Sequence, residues 1–337
     1  MKRIFCLITA AFLGLTPWIA GCAASNTPET SETYAMNTII TQTVYTDDSD
    51  ILVQNNEILR RIEDEMSKTI ADSDVARINA QSGEDVIVSD ATAQVLADSI
   101  AAAKETGGAF NPALGTVISA WGFGTEDAQV PDAETLSALL KKTDYQNVSI
   151  NGTRVNAGGT QIDLGGCVKG YALDRLAQNL NDAGVQSAIL SVGGSLYAVG
   201  QKPDGAGYRI GIRDPEGTEN DYMATMDLNG RFVSTSGTYE RGFTEDGVYY
   251  YHLLDPQTGY PANSGITSVT VVCDNGFLSD AYSTALFVMG AEKGIAFAQA
   301  HGADVLYLTN DHHILTTEGF ASKYALKITN DSYMAVS

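Results

Sequence analysis

The chain has 337 residues, 44% of them apolar and 18% charged, which supports a sizeable core and excludes a disordered or coiled-coil chain. Its 20 Lys and Arg against 41 Asp and Glu give a net charge of −21, a field that repels phosphate backbones and argues against nucleic acid as a partner. An anionic ligand would need a local device against that field: a metal ion, a helix N-terminus or a placed lysine.

Lys2 and Arg3 precede an apolar run from Ile4 to Ala20, too short and interrupted to span a membrane comfortably, which ends Ile19-Ala20-Gly21-Cys22. This resembles a bacterial lipoprotein signal, with cleavage before Cys22 and a lipid on its sulfur; an ordinary secretory signal with a chance cysteine is the alternative. Residues 1–21 then form the signal peptide, 22–33 a Ser-, Thr- and Glu-rich flexible tether, and 34–330 the working domain. That domain is expected outside the cytoplasm, anchored to the bacterial membrane by acyl chains. Beyond Cys22 the mature chain keeps Cys167 and Cys273, both in apolar settings and expected to be buried free thiols.

Residues 58–70 place Ile58, Leu59, Ile62, Met66 and Ile70 at helical spacing. Helices are predicted over 90–106, ending at Gly107-Gly108, and over 132–142 after Pro131. Val168 to Ala183 is another, with Ala172, Leu176 and Leu180 on one face and Gly184 as its stop. Segments 188–199, 208–213, 231–235, 248–254 and 266–273 read as strands, followed by helices near 279–289 and 291–301 and strands near 304–309 and 312–317. With no regular strand–helix rhythm, the class is α+β.

Two stretches carry chemistry. In Asp163-Leu164-Gly165-Gly166-Cys167-Val168-Lys169-Gly170 a short apolar piece runs into two glycines and then a helix, which brings backbone N–H groups and the positive helix end to one spot. Lys169 in the first turn opposes the helix dipole, a penalty that a phosphate would remove; a plain turn with a solvated lysine is the alternative. In Ser279-Asp280-Ala281-Tyr282-Ser283-Thr284, Asp280 and Thr284 share one helix face, and a carboxylate with a hydroxyl suits Mg²⁺. Asp280 as a dipole partner and Thr284 bonded back to a carbonyl explain the same pair. His252, before the turn Asp255-Pro256-Gln257-Thr258-Gly259, is either structural or a site residue. Ser191 to Ser195 and Ser234 to Gly237 line a pocket or form turns. Trp121-Gly122-Phe123-Gly124 either stacks on a flat ligand or fills core.

In this order, these stretches together with Met36-Asn37-Thr38 and Ala109-Phe110-Asn111-Pro112 resemble the ApbE-like FAD:protein FMN transferases over roughly residues 34–328. The resemblance implies a duplicated T-fold-like α+β body. It implies FAD as substrate and FMN linked through its phosphate to a Thr or Ser of an acceptor protein, with AMP released. The acceptors of such enzymes are subunits of membrane electron-transfer complexes or FMN-binding domains. Asp280, Thr284 and the carbonyl of Gly166 would hold Mg²⁺. Asp163, Lys169, Ser283 and His252 would meet FAD, and Met36, Thr69, Ala109, Phe110 and Asn111 would line its ends. His252 and Asp280 are candidate bases. Asn111 stands where an Asp is common, and Thr69 where some members have Tyr or Asn. A Mg²⁺-dependent FAD pyrophosphatase and a non-catalytic flavin-binding lipoprotein are the rival readings.

Overall fold

A computed structural model describes residues 27–218 and 220–336, so the signal segment and Cys22 lie outside the described residues. The chain opens with a hairpin, β1 (Pro28–Ala35) and β2 (Thr38–Tyr45), then α1 (Asp50–Met66), α2 (Asp74–Ala80), β3 (Val86–Ile87) and α3 (Asp90–Glu105). Next come α4 (Gly115–Trp121), α5 (Ala133–Leu140), a 3-10 turn (Tyr145–Asn147), β4 (Ser149–Asn151), β5 (Arg154–Asn156) and α6 (Val168–Asp182). Seven strands follow: β6 (Ser187–Val192), β7 (Ser195–Gly200), β8 (Tyr208–Arg213), β9 (Tyr222–Leu228), β10 (Phe232–Gly237), β11 (Gly242–Glu245) and β12 (Val248–Tyr251). After β13 (Ile266–Cys273) come α7 (Gly276–Met289) and α8 (Ala291–Ala300), then β14 (Asp304–Thr309), β15 (His313–Thr316), α9 (Phe320–Lys323), β16 (Lys327–Ile328) and β17 (Met334–Ala335).

The backbone of the fold is a nine-stranded sheet in the order β1-β2-β6-β7-β10-β13-β14-β15-β17, antiparallel except for the last pair. Successive residues of a strand point to opposite faces, and both faces here are covered. Val269, Val271 and Cys273 of β13 pack with Tyr282, Leu286 and Phe287 of α7, whereas Val272 joins Ile210, Ile212 and Met226 of the small sheet β16-β9-β8. That two-sided burial is why β13 is nearly continuous in apolar residues. Toward the other end of the sheet, Leu190 and Val192 pack with Leu173 and Leu176 of α6 and with α1 and α3. Mixed and antiparallel sheets with packed helices make the protein α+β, as expected.

Helices α6 and α7 cross where neither can carry a side chain. A Cβ on Gly170 would collide with the carbonyl of Gly276, and one on Gly276 with the carbonyl of Gly170. Each helix then receives an aspartate from the other at its first turn. Asp280 Oδ2 accepts the Gly170 N–H at 3.0 Å, and the Asp174 carboxylate accepts the N–H groups of Gly276 (2.7 Å) and Phe277 (2.8 Å). The crossing is internally two-fold in pattern, Gly170 and Asp174 answering Gly276 and Asp280.

Several elements differ from the sequence expectation. Strand β1 takes in residues 28–33, assigned above to the tether, because all eight of its residues pair with β2. Backbone pairing orders this largely polar edge strand, helped by Ala35 buried at its end and by Ser31, which accepts from Asn56 at 3.4 Å. Ordered pairing also runs past residue 330, through β17. The expected helix over 58–70 is α1, which begins at Asp50 and stops at Met66, since the Ser67 hydroxyl accepts the N–H groups of Thr69 and Ile70 and turns the chain out of the helix. The segment 188–199 is a hairpin rather than one strand: Gly193 adopts φ 59° in its turn. Helix α7 begins at Gly276, not at Ser279, because Asn275 accepts the Leu278 N–H at 2.8 Å as N-cap. Cys167 and Cys273 are buried and unpaired, in separate cores.

Candidate active site

The turn into α6 is built from local hydrogen bonds. The Asp163 N–H donates to the Pro112 carbonyl (2.8 Å), and Asp163 Oδ1 accepts the Gly165 N–H (2.8 Å), which folds the chain back on itself. The Leu164 carbonyl accepts both the Cys167 and Val168 N–H groups, so α6 starts without a side-chain cap. A Cβ on Gly166 would stand 3.2 Å from the Phe110 ring and 3.2 Å from the Thr284 hydroxyl, so glycine keeps open the space between this turn and α7. Lys169 Nζ donates to the Gly165 carbonyl (3.2 Å) and lies 3.6 Å from Asp280 Oδ1. On the other side of the turn, Lys68 pairs with Asp163 Oδ2 at 2.6 Å. Lys68 escaped the sequence reading, since nothing in its neighbourhood announces a partner 95 residues away.

From the opposite wall, α7 presents Asp280 and Thr284. Asp280 is 4% exposed, an expensive place for a carboxylate unless it is paired and hydrogen-bonded. Besides the Gly170 amide and Lys169 it has Ser195 Oγ, 3.5 Å from Oδ1, at the limit of a hydrogen bond. Ser195 accepts from Ser234 (2.9 Å), whose oxygen is 2.8 Å from that of Ser279. The two Ser- and Gly-rich strand ends are thus a buried hydroxyl row behind Asp280. Ser283 is buried, donates to the Asp280 carbonyl (2.8 Å) and pairs with Ser236 (2.8 Å), so it braces the helix beneath the site. The Thr284 hydroxyl does not bond back to a carbonyl and has no protein hydrogen-bond partner among the described residues, which leaves its oxygen available.

His252 follows β12 and is half-buried by surface area while protein crowds most of its ring. This desolvation, helped by the charges of Arg241 and Lys169 and opposed by a bond to the Arg241 backbone, pushes its pKa down to about 4. Nδ1 lies 3.2 Å from the Arg241 carbonyl, which can only accept. The proton therefore belongs on Nδ1, and Nε2 keeps its lone pair. The Arg241 guanidinium, also unforeseen, reaches the Asn37 carbonyl (3.3 Å) and ties this loop to the β1–β2 turn. In that turn Met36 and Asn37 both have positive φ (51° and 57°), the geometry that closes a two-residue hairpin at a steric cost for Met, and Glu63 holds it by accepting the Met36 N–H at 2.8 Å.

The donor set fits a hard cation. The crossing supplies one buried carboxylate (Asp280), one unpartnered hydroxyl (Thr284) and, from the Gly166 turn that faces this hydroxyl, a backbone carbonyl, all oxygen. With so few protein ligands, a Mg²⁺ there would keep positions for phosphate and water. No cluster of three or more His, Cys, Asp and Glu with the layout of a metal site occurs among the described residues, so an all-protein cage is not what is built here.

The other expected residues surround this centre or stand apart from it. Asn111 is committed to backbone, Nδ2 donating to the Thr143 carbonyl (2.8 Å) and Oδ1 accepting the Ala113 N–H (2.9 Å). Thr69 is exposed and pairs with Ser67 at 3.0 Å, beside Lys68. Ala109 packs against the core and Phe110 is buried within it, its ring edge toward Gly166. Trp121 fills core: it is fully buried, stacks on Phe123, and donates from its indole N–H to the Gly259 carbonyl at 2.7 Å.

Residues 36–307 match the model of the ApbE family. Among relatives, the FAD:protein FMN transferase of Treponema pallidum (strain Nichols) is 34% identical over 285 residues, covering 79% of each chain. The protein of the same name from Klebsiella pneumoniae (strain 342) is 32% identical over 278 residues, 81% of this chain and 86% of that one. The crystal structure of an ApbE protein from Thermotoga maritima superposes with a TM-score of 0.81 at 35% identity, over 88% of this chain and 98% of that one. The apo flavinyl transferase ApbE of Pseudomonas stutzeri does so with a TM-score of 0.78 at 32% identity, over 88% and 96%.

Proposed function

The chain belongs to the ApbE family, and from that premise we propose that it is an FAD:protein FMN transferase whose reaction takes place where α6 and α7 cross. The observation that carries the site assignment is the meeting of the Asp280 carboxylate, the free Thr284 hydroxyl and the Gly166 turn, with Lys169 and Lys68 beside them in a chain of net charge −21. Two ammonium groups brought to one turn of an acidic protein, each paired with an aspartate, are local partners for an anionic diphosphate.

Asp280, Thr284 and the Gly166 carbonyl would hold Mg²⁺. When bound, that ion screens the charge building on the phosphorus oxygens and eases the departure of AMP. Lys169 and Lys68 would bring positive charge to the diphosphate. The acceptor Ser or Thr oxygen bonds to the FMN-side phosphorus, and the bond from that phosphorus to the bridging oxygen breaks, the oxygen leaving with AMP. Nε2 of His252, neutral at physiological pH, takes the hydroxyl proton; Asp280, committed to the ion, is poorly suited to do so. The FAD ends would lie toward the Met36-Asn37 turn, which Arg241 ties to the His252 loop, and toward Phe110, whose ring edge faces Gly166.

Lipid attachment at Cys22 places the enzyme on the outer face of the cell membrane, beside acceptor subunits of membrane electron-transfer complexes, and raises their effective concentration. Among the described residues no helix is long and apolar enough to cross a membrane.

The test mixes purified protein, FAD, Mg²⁺ and a candidate flavin-accepting domain, and reads in-gel fluorescence after denaturation. A fluorescent acceptor band is expected. AMP release without that band makes the protein an FAD pyrophosphatase, and FAD recovered intact makes it a flavin-binding protein.

A further inference from the structure

The two aspartates at the helix crossing are not equally satisfied. Asp174 receives two backbone N–H groups, from Gly276 and Phe277. Asp280 receives one, from Gly170, and a serine hydroxyl at 3.5 Å. What makes up the difference is an ammonium group: Lys169 Nζ lies 3.6 Å from Asp280 Oδ1 and donates to the Gly165 carbonyl, with the Lys side chain 22% and the Asp side chain 6% exposed. At the matching place on α7, the residue just before Gly276 is the neutral Asn275, which serves as N-cap. A cation in the first turn of a helix opposes the dipole, so Lys169 is held there by Asp280 and not by its own helix.

We propose that Lys169 is the resident counter-ion of Asp280 in the metal-free enzyme, and that a divalent ion entering beside Asp280 and Thr284 displaces the ammonium and frees it for the diphosphate of the substrate. The inference rests on the metal reading given above and adds that metal entry and release of the lysine are one event. A lysine on a four-carbon stem can move from Asp280 to a phosphate above Gly165 without a change in the backbone. The coupling makes the metal alone bind weakly, because it must evict a charge of its own sign, and it withholds the phosphate-binding lysine until the metal is in place.

The test is calorimetric titration with Mg²⁺ alone, no flavin nucleotide present, of the wild type, Lys169→Met, Lys169→Arg and Asp280→Asn. Lys169→Met is expected to bind Mg²⁺ about ten-fold or more tightly than wild type, Lys169→Arg to remain within about three-fold of it, and Asp280→Asn to lose binding. Metal-free Lys169→Met should also melt below wild type and gain more from Mg²⁺, since it leaves Asp280 without its cation. Lys169→Gln stands in should the Met variant not fold. Affinity in the charge-removed variant that equals or falls below wild type, with Asp280→Asn still inactive in binding, overturns the inference and spares the metal site. Binding that ignores Asp280→Asn, or is absent from wild type and Lys169→Met alike, overturns both.

Discussion

The two ends of the α6–α7 contact share one construction and differ in use. At each, a glycine lets the helices touch and an aspartate from the opposite helix accepts the glycine N–H. Four residues beyond Asp174 stands Gln178; four beyond Asp280 stands Thr284, with its oxygen free. Asp174 is closed off by two amides, and burial pushes its carboxyl above the ordinary carboxylate range against the pull of those bonds. Asp280 faces a glycine turn, a lysine and a row of serine hydroxyls. The same joint is therefore a strut on one side and the proposed reaction centre on the other. What sets the second side apart is a few additions, namely Lys169, Gly166, Thr284 and Ser195, and not the joint itself.

The largest effect should come from exchanging the aspartates' fates. Asp280→Asn keeps an acceptor for the Gly170 N–H but is expected to lower Mg²⁺-dependent transfer by about 10³-fold or more, with an unchanged circular dichroism spectrum. Asp174→Asn should leave transfer within about three-fold of wild type, and an equal loss in both would break the distinction drawn here. Next come the glycines, where the two sides should behave alike. Gly170→Ala and Gly276→Ala each push a methyl group into the opposing backbone and are expected to cost about 2–4 kcal/mol in urea denaturation.

His252 belongs to the Asp280 side alone. His252→Asn should lower turnover about 10²-fold, and in the wild type the acid limb of the rate profile should lie near pH 4, since the neutral ring is favoured down to that value. A limb near the unperturbed histidine value would show that the ring is solvated and not poised as drawn. The smallest effect concerns Asp174 and stability. Its folded-state pKa is raised, so its contribution is greatest below the ordinary carboxylate value and is lost as pH climbs through the folded value. Asp174→Asn should flatten that part of the stability profile, measured by denaturation at several pH values from about 4 upward.

Much of the fold was legible where burial is two-sided or amphipathic. The expected strands 208–213, 266–273 and 304–309 coincide with β8, β13 and β14, and the helix expected over 168–183 is Val168–Asp182. Their β-branched runs and spaced leucines are direct consequences of what they touch. The β1–β2 hairpin was not legible. β1 is polar, and the turn uses Met36 and Asn37 at positive φ, where sequence cues favour glycine. In the site, the Asp280–Thr284 face and the Gly165-Gly166 turn follow from spacing and residue size. Lys68 on Asp163, Arg241 on Asn37 and Ser195 behind Asp280 do not, because each contact joins segments far apart along the chain.

Ordered pairing of β1 back to Pro28 shortens any leash between the body and an acylated Cys22. Six residues span at most about 20 Å when drawn out, less than the thickness of a bilayer's hydrocarbon core. An enzyme moored that closely would patrol a thin layer above the lipid and serve only hydroxyls presented within it. Membrane distance, as much as pocket shape, would then choose its clients.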